Sequence, residues 1–149
     1  MDIERLQKVA TQAAADQGFV VGARQQGFSG LLGPFFERDT ASAARREYAL
    51  FIDERHLNPE GFVHGGVLAS MIDYVLYRVA GKAAGAEFAV PTVDLQIQYL
   101  GAVKAGACVI GTGKVLRETR SLVFVHGELA VAGELVLAAS GVYKKIRTA

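Results

Sequence analysis

The chain has 149 residues, of which 51% are hydrophobic and 21% charged. That balance excludes a disordered chain and provides a core for one domain. Sixteen Lys and Arg against fifteen Asp and Glu leave a net charge of +1, too weak a field for nucleic acid to be the main partner. Cys108 is the only cysteine, so an intrachain disulfide and a four-cysteine zinc site are both impossible. A small buried apolar residue in a reducing, cytoplasmic setting is expected there. No apolar run approaches the roughly 18 residues of a membrane span, and the N-terminus lacks a signal-type run.

In chain order, residues 1–17 read as a helix, with Ile3, Leu6, Val9 and Ala13 recurring at three or four residues and Gly18 as its stop. Residues 22–34 carry four glycines and a proline and read as loop. Tyr48, Leu50 and Ile52 alternate with Ala49, Phe51 and Asp53, the pattern of a strand, with a shorter strand expected before it. Asn58-Pro59-Glu60-Gly61 is a turn by composition. From His64 to Ala84 the period becomes helical, Val67, Leu68, Met71, Ile72, Val75 and Val79 sharing one face, and Gly85 sits where a helix-ending glycine belongs.

Beyond Phe88 four strands follow. Their apolar parities are Val93 to Tyr99, Ala107 to Val115, Leu122 to Phe124, and the wholly apolar run Leu135 to Val142, which reads as covered on both faces. Hairpin loops are expected at Lys104–Gly106, Arg117–Ser121 and Ala132–Gly133. The order gives an α+β fold, an antiparallel sheet packed on one long helix.

Chemistry concentrates between Asn58 and Asp73. A helix begins with about four N–H groups that lack internal partners, at the positive end of its dipole. Gly65 and Gly66 put no side chain over those donors, so a carbonyl oxygen or oxyanion can approach, although a plain loop glycine is the equally good bland reading. Asp73 falls on the helix face opposite the apolar stripe, beside Gly66, Ala69, Ser70, Tyr77 and Ala80. A solvated carboxylate fits that position; so does one poised to activate water or to attack. Gly65 and Asp73 stand eight residues apart, about 12 Å along one helix, too far to serve one reacting carbonyl. Two such helices antiparallel across a twofold axis would bring Gly65 of one chain to Asp73 of the other.

The run Asn58…Gly61…His64-Gly65-Gly66…Asp73, followed by Thr92-Val93-Asp94-Leu95-Gln96-Ile97-Gln98-Tyr99, resembles the PaaI-like hotdog-fold acyl-CoA thioesterases over residues 46–145. The resemblance implies a sheet of five or six antiparallel strands around the long helix. It also implies homo-oligomers, as dimers with joined sheets or dimers of dimers, and an acyl-CoA substrate with no cofactor and no metal. Residues 46–147 are then the hotdog domain and residues 1–45 a packed-on extension.

By the same resemblance Gly65 polarises the thioester carbonyl and Asp73 is general base or nucleophile. Asn58 orients water or thioester, His64 holds the turn, and Thr92 supplies a hydroxyl. Tyr77 is bulkier than the small hydroxyl residue that some relatives place there and restricts the acyl pocket. Substrate contacts extend to Gly66, and to Arg117, Arg120 and Ser121 for the coenzyme A phosphates. His126 reads as a core or sheet-surface histidine. Two other functions stay open on this fold, a non-catalytic acyl-CoA-binding protein and an enoyl-CoA hydratase. The former usually carries a DNA-binding domain, and the latter pairs a His with an acid.

Overall fold

In the computed structural model, which describes residues 2–23, 25–41 and 45–148, the N-terminal period forms helix α1, Ile3–Asp16, capped by the Asp2 side chain. Met1, Arg24 in the expected loop and residues 42–44 ahead of the expected strand lie outside the described residues. α1 packs through Ala10 and Ala14 against Phe19, Phe36 and Ala49, while Ile3 and Val9 stand exposed. The alanines win because a helix lying flat on a sheet needs small side chains at the contact. The glycine-rich segment is not all loop. Phe28–Leu32 within it makes a short helix, α2, and just ahead of it Val20–Val21 form a two-residue strand, β1.

Strand β2, Phe35–Asp39, is the shorter strand expected before β3, Arg46–Phe51. A single 3-10 turn, Glu54–His56, then leads to helix α3, Gly65–Ala84, which Gly85 ends at φ +98°. After α3 come β4 (Phe88–Ala89), β5 (Thr92–Tyr99), β6 (Cys108–Glu118), β7 (Leu122–Val131), β8 (Glu134–Lys144) and β9 (Ile146–Arg147). The β7–β8 connection is the expected two-residue turn at Ala132 and Gly133, both at positive φ.

The main sheet is antiparallel and carries seven strands rather than five or six, in the order β1-β2-β3-β6-β7-β8-β5, the addition being β1; β4 pairs separately with β9. β6 runs on to Glu118, so Arg117 lies in a strand and only residues 119–121 form the turn. β8 is not covered on both faces. Leu137, Ala139 and Tyr143 are buried, whereas Ser140 between them is exposed.

α3 is buried almost all round, with Met71, Ile72, Val75 and Leu76 inaccessible to solvent. Glycines in the strands let it lie close. A Cβ at Gly111 would sit 2.6 Å from Val75, and one at Gly127 would sit 2.6 Å from Leu76. The sheet thus wraps the helix, leaving Gly66 in its first turn and Lys82 near its end exposed and the Asp73 side partly open. No helix among the described residues is long and apolar enough to cross a membrane.

Candidate active site

The turn before α3 is built from its own side chains. Gly61 takes φ +81° and donates to the Asn58 carbonyl at 3.0 Å, while Asn58 Oδ1 accepts from the Phe62 N–H at 2.9 Å. Asn58 therefore holds the turn with its carboxamide oxygen. Its Nδ2 donors have no protein partner among the described residues.

The next anchor is His56, a residue that the motif reading passed over. It is 1% exposed; its Nδ1 accepts from the Asp53 N–H at 3.0 Å, so Nε2 carries the proton and donates to the Leu32 carbonyl at 2.8 Å. Its own carbonyl accepts from the His64 N–H at 2.8 Å. Arg55 grips Asp53 and reaches the Gly33 carbonyl at 3.1 Å. Burial raises the Asp53 carboxyl, but the Arg55 hydrogen bonds outweigh it and hold the group below the usual carboxylate range. The 25–34 segment is in this way stapled to the strand end that feeds α3.

His64 caps α3, its Nδ1 accepting from the Gly66 N–H at 2.9 Å. The cap spends the Gly66 donor. The Gly65 N–H has no partner among the described residues, and a Cβ at Gly65 would meet nothing closer than the Tyr99 ring at 3.5 Å. Tyr99, at the far end of β5, donates to the Gly65 carbonyl at 2.9 Å and fixes that end of the helix to the strand.

Asp73 lies two turns further along α3, half-buried rather than simply solvated. Its Oδ1 accepts from Thr92 Oγ1 at 2.9 Å and from the Tyr143 hydroxyl at 2.8 Å. Thr92 opens β5, and a bulge between Thr92 and Asp94 sets its aim. Tyr143 was missed in the sequence; the available signal was a phenol on the buried parity of an apolar strand, where its O–H must find an acceptor.

A cavity of about 380 Å³ continues along α3 past Asp73, lined by Tyr77, Arg78 and Lys82 of the helix and by Tyr48, Phe88 and Val90. Tyr77 is half-buried in its wall. Arg78 is committed to Glu37 at 3.0 Å and to the Ala23 carbonyl at 3.0 Å. Burial pushes the Tyr48 hydroxyl up to about 12, so it stays protonated. Glu118, Val123, Tyr143 and Thr92 stand in one register row across β6, β7, β8 and β5. That row puts Arg117, Arg120 and Ser121 at the Asp73 end of the sheet, two to three strands away from Thr92. His126 is on the outer face of β7, with Ser140 Oγ at 3.5 Å and Glu128 at 3.6 Å, away from the Gly65 and Asp73 groups.

A long helix held in a wrapping antiparallel sheet is the hotdog architecture, here that of a thioester hydrolase. Residues 60–138 match the thioesterase superfamily model, and the chain belongs to that superfamily. The Pseudomonas aeruginosa protein PA0474 is 31% identical over 127 residues, 85% of this chain and 94% of that protein. Human acyl-coenzyme A thioesterase 13 is 29% identical over 63% of this chain and 66% of its own length. A variant of the phenylacetic acid degradation protein PaaI from Thermus thermophilus shares the fold, with a TM-score of 0.68 at 22% identity over 80% of this chain and 98% of that one.

Proposed function

We propose that this chain hydrolyses an acyl- or aryl-CoA thioester to the free acid and coenzyme A, using Asp73 of one subunit with the Gly65 amide of another and no cofactor. The supporting observation is the way β5 ties the two groups together. Thr92 at its start bonds Asp73 and Tyr99 at its end bonds Gly65, roughly 23 Å of strand apart. β5 is also a sheet edge, eight residues long and free of Lys and Pro, whereas the opposite edge, β1, has two residues. A long bare edge is a template for another strand. Antiparallel pairing of two β5 strands across a twofold axis sets the Thr92 end of one against the Tyr99 end of the other, and so Asp73 of one chain near Gly65 of the next.

In such a site the free Gly65 N–H donates to the thioester oxygen, which gains charge as the carbonyl carbon becomes tetrahedral. Asp73 takes the proton of an attacking water, or attacks and forms an anhydride that water then opens. In either course a C–O bond forms, the C–S bond breaks, and the thiolate leaves as coenzyme A. Asn58, through its unspent amide, orients water or the thioester, and His64 keeps the Gly66 donor out of the reaction. The acyl group occupies the cavity beside Tyr77, and Arg117, Arg120 and Ser121 meet the coenzyme phosphates. The likeness to an acyl-CoA thioesterase supports the thioester chemistry, and a cytoplasmic homo-oligomer belongs to the same reading.

The test is thiol release from a panel of aryl-, short- and medium-chain acyl-CoAs by wild type and Asp73→Asn. Release by wild type with a loss of about 10²-fold or more in the variant is expected. Binding of acyl-CoA without release would select the non-catalytic reading, and hydration of an enoyl-CoA the hydratase reading.

A further inference from the structure

We infer that Tyr143 is a positioning residue for the hydrolysis, locking the Asp73 carboxylate so that Oδ2 alone faces the reaction; this rests on the reading of Asp73 as the catalytic acid group. Both hydrogen bonds to the carboxylate end on Oδ1, from Tyr143 at 2.8 Å and Thr92 at 2.9 Å, and Oδ2 has no protein partner among the described residues. A terminal carboxylate torsion is otherwise broad. Two donors on one oxygen, arriving from two strands, fix the plane and leave the lone pairs of the other oxygen for water or the thioester carbon.

The two donors differ in kind. Thr92 is exposed, so water can replace its hydroxyl, whereas Tyr143 is 0% exposed and water cannot replace its phenol. The fold makes room for that ring. Thr92 and Tyr143 are direct partners in the β5–β8 register, and a Cβ at Gly141 would stand 2.9 Å from the Tyr143 ring. The Asp73 carbonyl, 3.3 Å from the hydroxyl, takes the weaker share of that one bifurcated O–H, so the phenol also sits against the helix backbone. Burial first, and then the neighbouring Asp73 charge, push ionisation of the phenol far up, so it remains a donor at every working pH.

β6 and β7 turn Val109, Gly111, Val123 and Gly127 toward α3, β4 contributes Phe88 and β5 contributes Thr92, while α3 itself carries Tyr77 one turn on and then Arg78 and Lys82 in the adjoining cavity. Across the proposed seam stands the His64–Gly65 turn of a second copy. A carboxylate that loses its aim lowers kcat and leaves KM in place, which gives the inference a readout that packing alone does not move.

Tyr143→Phe keeps the ring and removes the O–H. The expected result is kcat down roughly 10- to 100-fold with KM within about twofold. An unchanged kcat, or a loss carried by KM alone, overturns the inference. If the phenylalanine variant does not fold, fluorotyrosine at position 143 preserves the packing and the O–H and should keep kcat within about threefold of wild type; a loss of about 10-fold or more overturns the inference equally. Asp73→Asn separates the two ideas. If that variant remains active, the reading of Asp73 fails. If it is dead while Tyr143→Phe behaves as wild type, only the positioning role fails.

Discussion

The Gly65 amide is the smallest part of the proposed site, and its contribution can be isolated by one substitution. Gly65 is the first residue of α3, where proline is well tolerated because its missing N–H would have no partner in the helix. The preceding residue, His64, already sits at φ −61°, ψ 133°, the extended conformation that a following proline demands. Gly65→Pro therefore deletes the donor and leaves the helix start intact. The expected outcome is a fall of about 10²–10³ in kcat, the worth of one oxyanion donor, at an unchanged melting temperature. A melting scan beside a steady-state assay checks both halves. This group was readable from the sequence because Asn58, Gly61, His64, Gly65 and Asp73 are local to one turn and one helix, so spacing alone relates them. Tyr143 and Tyr99 were not readable, because they reach Asp73 and Gly65 through strand register across 70 and 34 residues of chain. Periodicity assigns a face to a residue but not the partner opposite it.

At the scale of elements, the helix period from His64 to Ala84 and the alternation of the long strands were plain, since both are set by burial against one core. What periodicity hid was the closeness of the contact. Glycine in a strand reads as a weak point or a break, yet at Gly111 and Gly127 an added Cβ would come within 2.6 Å of α3 side chains. At Gly127 an added Cβ would stand 2.6 Å from Leu76 and 2.8 Å from the Thr112 carbonyl oxygen. A leucine can rotate away, but a backbone oxygen in a paired strand cannot. Alanine is ordinarily the better residue in an extended chain, and here the clash reverses the sign. Gly127→Ala should cost about 1–3 kcal/mol, measured as a lower urea midpoint with an unchanged slope, and any gain in stability would contradict the packing. The same element-level reasoning explains α1. The apolar residues Ile3 and Val9 gave its period, but the flat outer face of the sheet accepted only the small Ala10 and Ala14.

At the scale of the whole molecule, the near-neutral chain has no long-range field to gather partners, so assembly must depend on surface shape and unpaired backbone. The two ends of the sheet are unequal in this respect. β1 is an edge of only two residues, while β5, bonded to β8 on one side, presents a free edge eight residues long beside exposed Val93 and Tyr99. Because one β5 strand holds Asp73 at its start and Gly65 at its end, the proposed pairing along that edge would complete two sites, each with parts from both chains. This predicts complementation between inactive proteins. Gly65→Pro chains retain Asp73, and Asp73→Asn chains retain the Gly65 amide. When the two are co-refolded, random pairing makes half of the dimers mixed, each with one intact site of two. Activity should return to about a quarter of wild type, and should fall on dilution below the dimer dissociation constant. If each site were built within one chain, every site in the mixture would carry one of the two lesions, and mixing would restore nothing.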